Sequence, residues 1–110
     1  MNINEFYKNK SLVFEEWWLD ECAFPSKCWA RLRKFSDGTC DVKFDVKDED
    51  KCFGFEDMES AHHFLQEDEF ISLDMYDAED EIQNGVRRED LRPPSWFPPV
   101  SKEFEYVGQY

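Results

Sequence analysis

The most reactive side chains of this chain belong to two adjacent histidines and four cysteines. His62 and His63 lie in a segment whose spacing predicts a helix, and neighbouring residues of a helix project about 100° apart. The two imidazoles therefore do not face one metal ion or one substrate, and we expect them on the surface of the helix or half-buried. The chain also has no G-x-S-x-G motif and no glycine-rich phosphate loop. The sequence predicts a protein that is not an enzyme.

The cysteines Cys22, Cys28, Cys40 and Cys52 leave two chemical interpretations open beside free thiols. An even number suits two disulfides in a secreted protein, and clustered cysteines suit zinc. The start of the chain lacks the basic-then-apolar pattern of a secretory signal, so we expect reduced thiols in a cytoplasmic protein. The intervals lack the close pairs of structural zinc sites, and Cys40 and Cys52 fall at apolar, strand-like positions. We expect no metal ion and no cofactor.

Carboxylates dominate the middle of the chain. Residues 41–90 contain 18 acidic and 5 basic residues, which accounts for the whole net charge of -13. Such a field repels nucleic acid and anionic membranes and attracts a basic partner. The segment 74–81 superficially suggests calcium, but it lacks the glycine and the alternating ligands of an EF-hand loop. The alternative is an acidic surface that only keeps the protein soluble.

Three runs of acidic residues are the candidate partner-binding sites. They are Asp48, Glu49 and Asp50, then Glu67, Asp68 and Glu69, and finally Asp77, Glu79, Asp80 and Glu81. Ion pairs at the rim of an interface add little affinity, and buried aromatic anchors usually dominate. The aromatic candidates for such anchors are Trp29, Tyr76, Trp96 and Tyr110, with core packing as the alternative for each.

The clearest local element is a β-hairpin. Residues 28–35 and 39–47 alternate in polarity and flank Asp37 and Gly38, and an Asp-Gly turn between such runs favours a hairpin. The alternation predicts a sheet with one buried face and one face open to solvent. The residues expected on the solvent face are Trp29, Arg31, Arg33, Asp41, Lys43, Asp45 and Lys47. On that face the two arginines are expected to pair with Asp41 and Asp45.

Capping residues and periodicity predict the remaining elements. Ser11 caps a predicted helix over 12–22, with a strand over 11–17 as the alternative. Asp57 caps a helix over 58–66. Strands are predicted over 51–55, over 70–76 and, at the sheet edge, over 103–107. Gly54 predicts a bulge or bend in the first of them. An acidic helical turn is predicted over 77–84. Trp96 and Phe97 are expected to anchor the proline-rich segment to the core.

Together these elements predict a single α+β domain over residues 1–110. It consists of an antiparallel sheet of four to five strands with one or two helices packed on one face. No direct contact with nucleic acid or membrane is expected, because the negative field of residues 41–90, which we term the acidic block, opposes both.

The order of features resembles small bacterial immunity proteins, which neutralise the toxins of contact-dependent growth inhibition and related polymorphic toxin systems. The resemblance is carried by the hairpin at Asp37-Gly38, the block FEDMESAHHFLQEDEFISLDMY at 55–76 and the ending PPSWFPPVSKEFEYVGQY at 93–110. It implies a one-to-one complex with a cognate toxin, in which acidic side chains block the basic substrate cleft of a nuclease domain. The alternative is a phosphate or DNA mimic of the anti-restriction or anti-CRISPR type, which inhibits a DNA-binding enzyme.

Overall fold

The computed structural model describes residues 1–45, 51–97 and 103–110. These residues form a mixed six-stranded sheet, three α-helices and three short 3-10 turns. The predicted α+β class is confirmed, but the sheet has six strands rather than four to five. The elements are α1 (Ile3–Phe6), β1 (Leu12–Asp20), β2 (Trp29–Phe35), β3 (Cys40–Phe44), β4 (Lys51–Phe55), α2 (Met58–Glu67), β5 (Phe70–Ser72), α3 (Ala78–Asn84) and β6 (Glu103–Gly108). The 3-10 turns span Glu21–Ala23, Leu73–Met75 and Arg88–Asp90.

The strands lie in the order β5-β1-β2-β3-β4-β6. All neighbours are antiparallel except β4 and β6, which are parallel and make the sheet mixed. The predicted edge strand at 103–107 is confirmed as β6. Its register against β4 shifts between Gly54 and Phe55, which confirms the irregularity predicted at Gly54. The Phe104 ring lies 2.6 Å from where a Cβ of residue 54 would stand, so only glycine fits there.

The predicted hairpin is confirmed as β2 and β3. Leu32 lies opposite Val42 in its register. Gly38 has a φ of 89°, a left-handed conformation that glycine adopts without a steric penalty. The side chain of Asp37 accepts a hydrogen bond from the backbone N–H of Thr39 at 3.1 Å. The turn residues therefore act as their local chemistry predicts.

The first long element is a strand, so the predicted helix over 12–22 is wrong and its alternative is closer. Trp18 and Leu19 are both buried, each in a different core cluster. Neighbours in a strand face opposite sides of the sheet, and both sides are covered here. Ser11 does not cap a helix; its backbone C=O accepts a hydrogen bond from the Ser36 N–H at 2.8 Å. Pairing with β2 overrides the moderate helical periodicity of this segment.

α2 packs on one face of the sheet, as predicted. Its N-cap Asp57 accepts a hydrogen bond from the Ser60 N–H at 2.8 Å. Ala61 and Leu65 are fully buried against the sheet. The sheet residues of this core cluster are Trp18, Ala30, Leu32, Cys40, Val42 and Phe55.

The opposite face of the sheet is covered over β2 and β3, so the prediction that it is open to solvent is wrong there. Of the residues predicted on it, Asp45 is exposed beyond β3, and Lys47 lies outside the described residues. Asp41 has no exposed surface, and Arg31 and Lys43 are only 4% and 3% exposed. α1 covers part of this face with Phe6, whose ring contacts aromatic rings of β2 and β6. Phe97 covers another part, with its ring 4.9 Å from the guanidinium carbon of Arg31. Both covering groups come from segments far away in the sequence.

The segments after α2 agree with the predictions in part. β5 ends at Ser72, and a 3-10 turn replaces the rest of the predicted strand 70–76. α3 ends at Gly85, whose φ of 70° gives the predicted left-handed C-cap. Phe97 packs against Trp17 at a ring distance of 5.3 Å, so it is an anchor, whereas Trp96 is 73% exposed and is not. None of the helices described is long and apolar enough to cross a membrane.

Candidate functional site

The acidic run of α3 divides between a capping role and an exposed surface. Asp77 accepts hydrogen bonds from the N–H groups of Glu79 and Asp80 at 3.0 and 3.1 Å. The Asp80 side chain accepts one from the Asp77 N–H at 2.9 Å, which completes a capping box. The bond from the Asp80 N–H lowers the pKa of Asp77. The side chains of Glu79 and Glu81 lie outside this box and form no ion pair with another described residue.

The acidic run at the end of α2 is held by contacts from distant parts of the chain. The Tyr110 hydroxyl donates to the carboxylate of Glu67. The Cys22 thiol donates to the carboxylate of Glu69, and this bond raises the pKa of Cys22 to about 11. The Glu69 C=O accepts a hydrogen bond from the Glu21 N–H at 3.0 Å. Glu69 is therefore fixed beside the 3-10 turn that follows β1.

Two acidic residues from distant segments, Glu21 and Glu69, line one cleft, and the charge of Asp80 in α3 acts on Glu21. Burial, together with the charges of Asp80 and Glu69, raises the pKa of Glu21. The cleft has a volume of about 460 Å³, and its lining includes Glu21, Glu69 and the amide side chains of Gln66, Gln83 and Asn84. We term it the acidic cleft. No ion pair in the described part of the chain includes Glu21, Glu69 or Asp80, so no described cation pairs with these carboxylates.

The structure brings one residue from each of two predicted acidic runs, Glu69 and Asp80, near Glu21, a residue that sequence reasoning missed. Glu21 lies in the first 40 residues, which have no net charge, and only the pairing of β1 with β5 brings it next to Glu69. Asp68, the C-cap of α2, is exposed beside the cleft residues. The third predicted run, Asp48, Glu49 and Asp50, lies outside the described residues.

The four aromatic candidates divide equally between core and surface. Trp29 and Tyr76 are only 6% and 5% exposed, and the Tyr76 hydroxyl donates to a backbone carbonyl of the following loop at 2.6 Å. Core packing therefore accounts for both. Trp96 and Tyr110 are 73% and 48% exposed. Ile82 of α3, which is 84% exposed among acidic neighbours, is a further apolar candidate that the sequence did not single out.

The two histidines do not converge, as the helical geometry predicts. His62 Nε2 lies 2.9 Å from Glu16 Oε1, and its ring packs against Trp18. His63 lines a separate surface depression beside Tyr110. Across residues 1–45, 51–97 and 103–110, no three His, Cys, Asp or Glu side chains lie close enough together to hold a metal ion. The described side chains form a charged surface rather than a histidine-based centre.

All four cysteines are free thiols. Cys40 and Cys52 are fully buried in β3 and β4, at the strand positions predicted for them. Burial raises the pKa of each thiol to about 12, so both are neutral at physiological pH. They pack as small apolar side chains.

Asp41 belongs to the core although it lies in the acidic block. It accepts hydrogen bonds from Nε and Nη2 of Arg33 at 3.0 and 2.5 Å, which confirms the pairing predicted for Asp41. Asp45 is exposed beyond the end of β3, and Arg31 lies opposite Lys43 in the register. Asp41 also accepts a hydrogen bond from the Tyr7 hydroxyl at 2.6 Å, and that hydroxyl lies 3.2 Å from Cys52 Sγ. Burial, followed by the charge of Asp41, raises the pKa of Tyr7, so the phenol remains a donor. This network fixes the N-terminal segment to the sheet.

Comparison with known proteins adds no relative from which a role could be transferred. No family model, curated protein or solved structure matches this chain. Function is therefore inferred from the charge, burial and contacts of the chain itself.

Proposed function

We propose that this protein binds a cognate toxin in a one-to-one complex and neutralises it by blocking the substrate-binding site of a basic nuclease domain. The observation that supports the proposal is the acidic cleft, which Glu21 and Glu69 line and to whose negative field Asp80 adds, with no ion pair from these carboxylates to a described cation. Glu79 adds an exposed carboxylate on α3, and Glu81 of the same helix lines a neighbouring depression with Arg87 and Arg88. Like charges held together in this way are stabilised when a partner of opposite sign covers them.

The mechanism is competition for the cations that hold nucleic acid. A nuclease binds the phosphate backbone with lysine and arginine side chains, and carboxylates compete for those cations. Opposite fields also steer the two proteins together, with association rates of about 10⁸–10⁹ M⁻¹s⁻¹ at low salt. The amides of Gln66, Gln83 and Asn84 beside the carboxylates suit guanidinium groups, which form several hydrogen bonds in one plane. The inhibitor itself performs no chemistry.

Apolar contacts supply the affinity that exposed charge does not. An exposed ion pair contributes only about 0–1 kcal/mol, whereas full burial of a large apolar side chain contributes about 1.5–3 kcal/mol. Ile82 on α3 and Met75 in the preceding turn are 84% and 73% exposed. A partner that covers them would therefore bury most of their apolar surface. An interface centred on Ile82 and surrounded by carboxylates has the organisation of a protein-binding site.

Co-expression with the toxin encoded by the adjacent gene tests the proposal. We expect the native chain to restore growth and the double variant Glu79→Lys, Glu81→Lys to restore it less well. The matched control is Glu56→Lys, Glu103→Lys, which changes the charge equally at exposed residues outside the acidic cleft and α3. Failure of the native chain to restore growth would refute neutralisation of this toxin. Inhibition of a DNA-binding enzyme instead would favour the phosphate-mimic class.

A further inference from the structure

The sheet has an open edge beside β1. β5 pairs with β1 only from Trp18 to Asp20. β1 begins at Leu12, so residues 12–17 have β2 on one side and no described strand on the other. The backbone N–H and C=O groups of an unpaired edge match those of another extended peptide.

The hydrogen-bond pattern shows which backbone groups of β1 point to its unpaired side, beyond the end of β5. We term this side the open row. The Asp20 N–H donates to the Cys28 C=O at 3.0 Å, toward the β2 side. In an antiparallel strand every second residue forms backbone hydrogen bonds to the same neighbouring strand. Counting back from Asp20, Glu16 bonds toward β2 and Glu15 does not. The Glu21 N–H, which bonds toward β5 at 3.0 Å, fits the same alternation. The N–H and C=O of Glu15 therefore point into the open row, where no described residue bonds them.

Apolar side chains flank this backbone edge. Leu12, Val13 and Phe14 are 49%, 57% and 39% exposed. Exposed edges are usually protected by lysine, proline, a bulge or short length. A register shift between Leu12 and Phe14 gives such protection at the start of β1 and leaves residues 14–17 regular. Met75, 73% exposed, lies in the 3-10 turn that contacts β1 where β5 ends.

The charge of this edge selects a basic strand rather than a second copy of the chain. Glu15 is exposed in the row itself, and Asp74 is exposed in the adjoining turn. Arg33 of β2 lies opposite Glu15 but is paired with the buried Asp41. Lys34, with Nζ 5.9 Å from the Phe14 ring, is a further cation of β2. Two-fold pairing of two copies about Glu15 would place like charges opposite each other, and each copy carries a net charge of -13.

We propose that residues 14–17 accept an extended strand of a partner protein, in the row that β5 leaves open. The added strand alternates basic and apolar residues, with a basic residue opposite Glu15 and an apolar residue against Phe14. Main-chain hydrogen bonds to Glu15 provide affinity, and the alternate side chains provide specificity. This edge is separate from the acidic cleft, so the inference does not depend on the proposed toxin.

A blocked peptide of alternating valine and lysine is the probe, and the native full chain is the receptor. In ¹H–¹⁵N spectra we expect the amide of Glu15 to shift and to become protected from solvent exchange on binding. The amide of Glu16, which bonds to β2, is protected with and without the peptide. The same peptide with N-methylated central amides should bind about tenfold more weakly, because it lacks the pairing donors. An unchanged Glu15 amide, or equal binding of both peptides, would overturn the proposal.

Two substitutions at Glu15 separate strand pairing from charge. Glu15→Pro removes the N–H that faces the open row, a position where an edge strand tolerates proline, while Glu15→Thr removes the same charge and keeps the N–H. We expect the proline variant to bind the peptide about tenfold more weakly than the threonine variant. Equal affinities would contradict strand addition, and concentration-dependent self-association that protects Glu15 without peptide would identify a second copy as the occupant. Should the proline variant unfold, the comparison of the two peptides decides.

Discussion

The substitution Asp41→Asn removes one negative charge from the interior of the sheet and keeps the size of the side chain. In the folded protein this carboxylate is fully buried and accepts three hydrogen bonds, two from Arg33 and one from Tyr7. The variant leaves the Arg33 guanidinium, whose side chain is 12% exposed, without its counter-charge. Removing one partner of a buried ion pair costs about 3–5 kcal/mol. Since domains unfold with about 5–15 kcal/mol, we expect a severe loss of stability.

Two further variants separate the parts of this network. Tyr7→Phe removes one hydrogen bond to the buried carboxylate, and we expect it to cost about 1–3 kcal/mol. In the double variant the two losses do not add, because the Tyr7 hydroxyl bonds to Asp41 itself. Asp45→Asn is the matched control, since Asp45 is exposed one residue after β3, and it should change stability by less than about 0.5 kcal/mol.

Urea unfolding followed by far-UV circular dichroism at neutral pH measures these differences. A loss below about 1 kcal/mol for Asp41→Asn would lie outside the range for breaking a buried pair and would refute the placement of Asp41 in the core. Strict additivity of Tyr7→Phe and Asp41→Asn would contradict the hydrogen bond between them.

Two smaller effects concern the other carboxylates. Glu21→Gln should raise the free energy of unfolding at pH 7 by about 0.3 kcal/mol, since solvent screens exposed charges. Because burial, followed by the charges of Asp80 and Glu69, raises the pKa of Glu21, ionised Glu21 destabilises the folded state. The gain should shrink in about 1 M salt, which screens the repulsion but not the effect of burial, and disappear as the pH falls through that pKa. Asp57→Ala should lower the thermal midpoint at pH 7, because hydrogen bonds from Ser60 lower the pKa of Asp57 and favour its ionised form in the folded state. Thermal scans at decreasing pH should show this deficit shrink as the pH falls through the folded-state pKa of Asp57, and a deficit that does not change with pH would contradict the preference of the cap for the ionised form.

Elements with local signals were predictable from the sequence. The turn at Asp37 and Gly38, the N-cap Asp57 and the C-cap Gly85 each act within a few residues, and the structure confirms all three. β1 was predicted wrongly because its helical periodicity and its serine are also local signals, whereas its strand form depends on pairing with β2. Non-local pairing overrides local preference in such segments.

The covered second face and the acidic cleft could not be predicted for the same reason. Phe6 and Phe97 cover Arg31 and Asp41 from opposite ends of the chain, and alternation within one hairpin contains no information about them. Glu21 joins Glu69 only through the pairing of β1 with β5. The net charge of the acidic block was visible in the sequence. The sequence did not show which of its carboxylates are buried in the core and which are exposed on the surface.

The rate of association with the toxin, measured by stopped flow over a range of salt concentrations, tests the central claim most directly. We expect the native rate to fall steeply as salt rises, and Glu79→Lys, Glu81→Lys to reduce it about tenfold or more at low salt. The control Glu56→Lys, Glu103→Lys should reduce it much less. Equal rates for the two double variants, or a native rate independent of salt, would contradict an acidic surface that guides the protein to a basic partner.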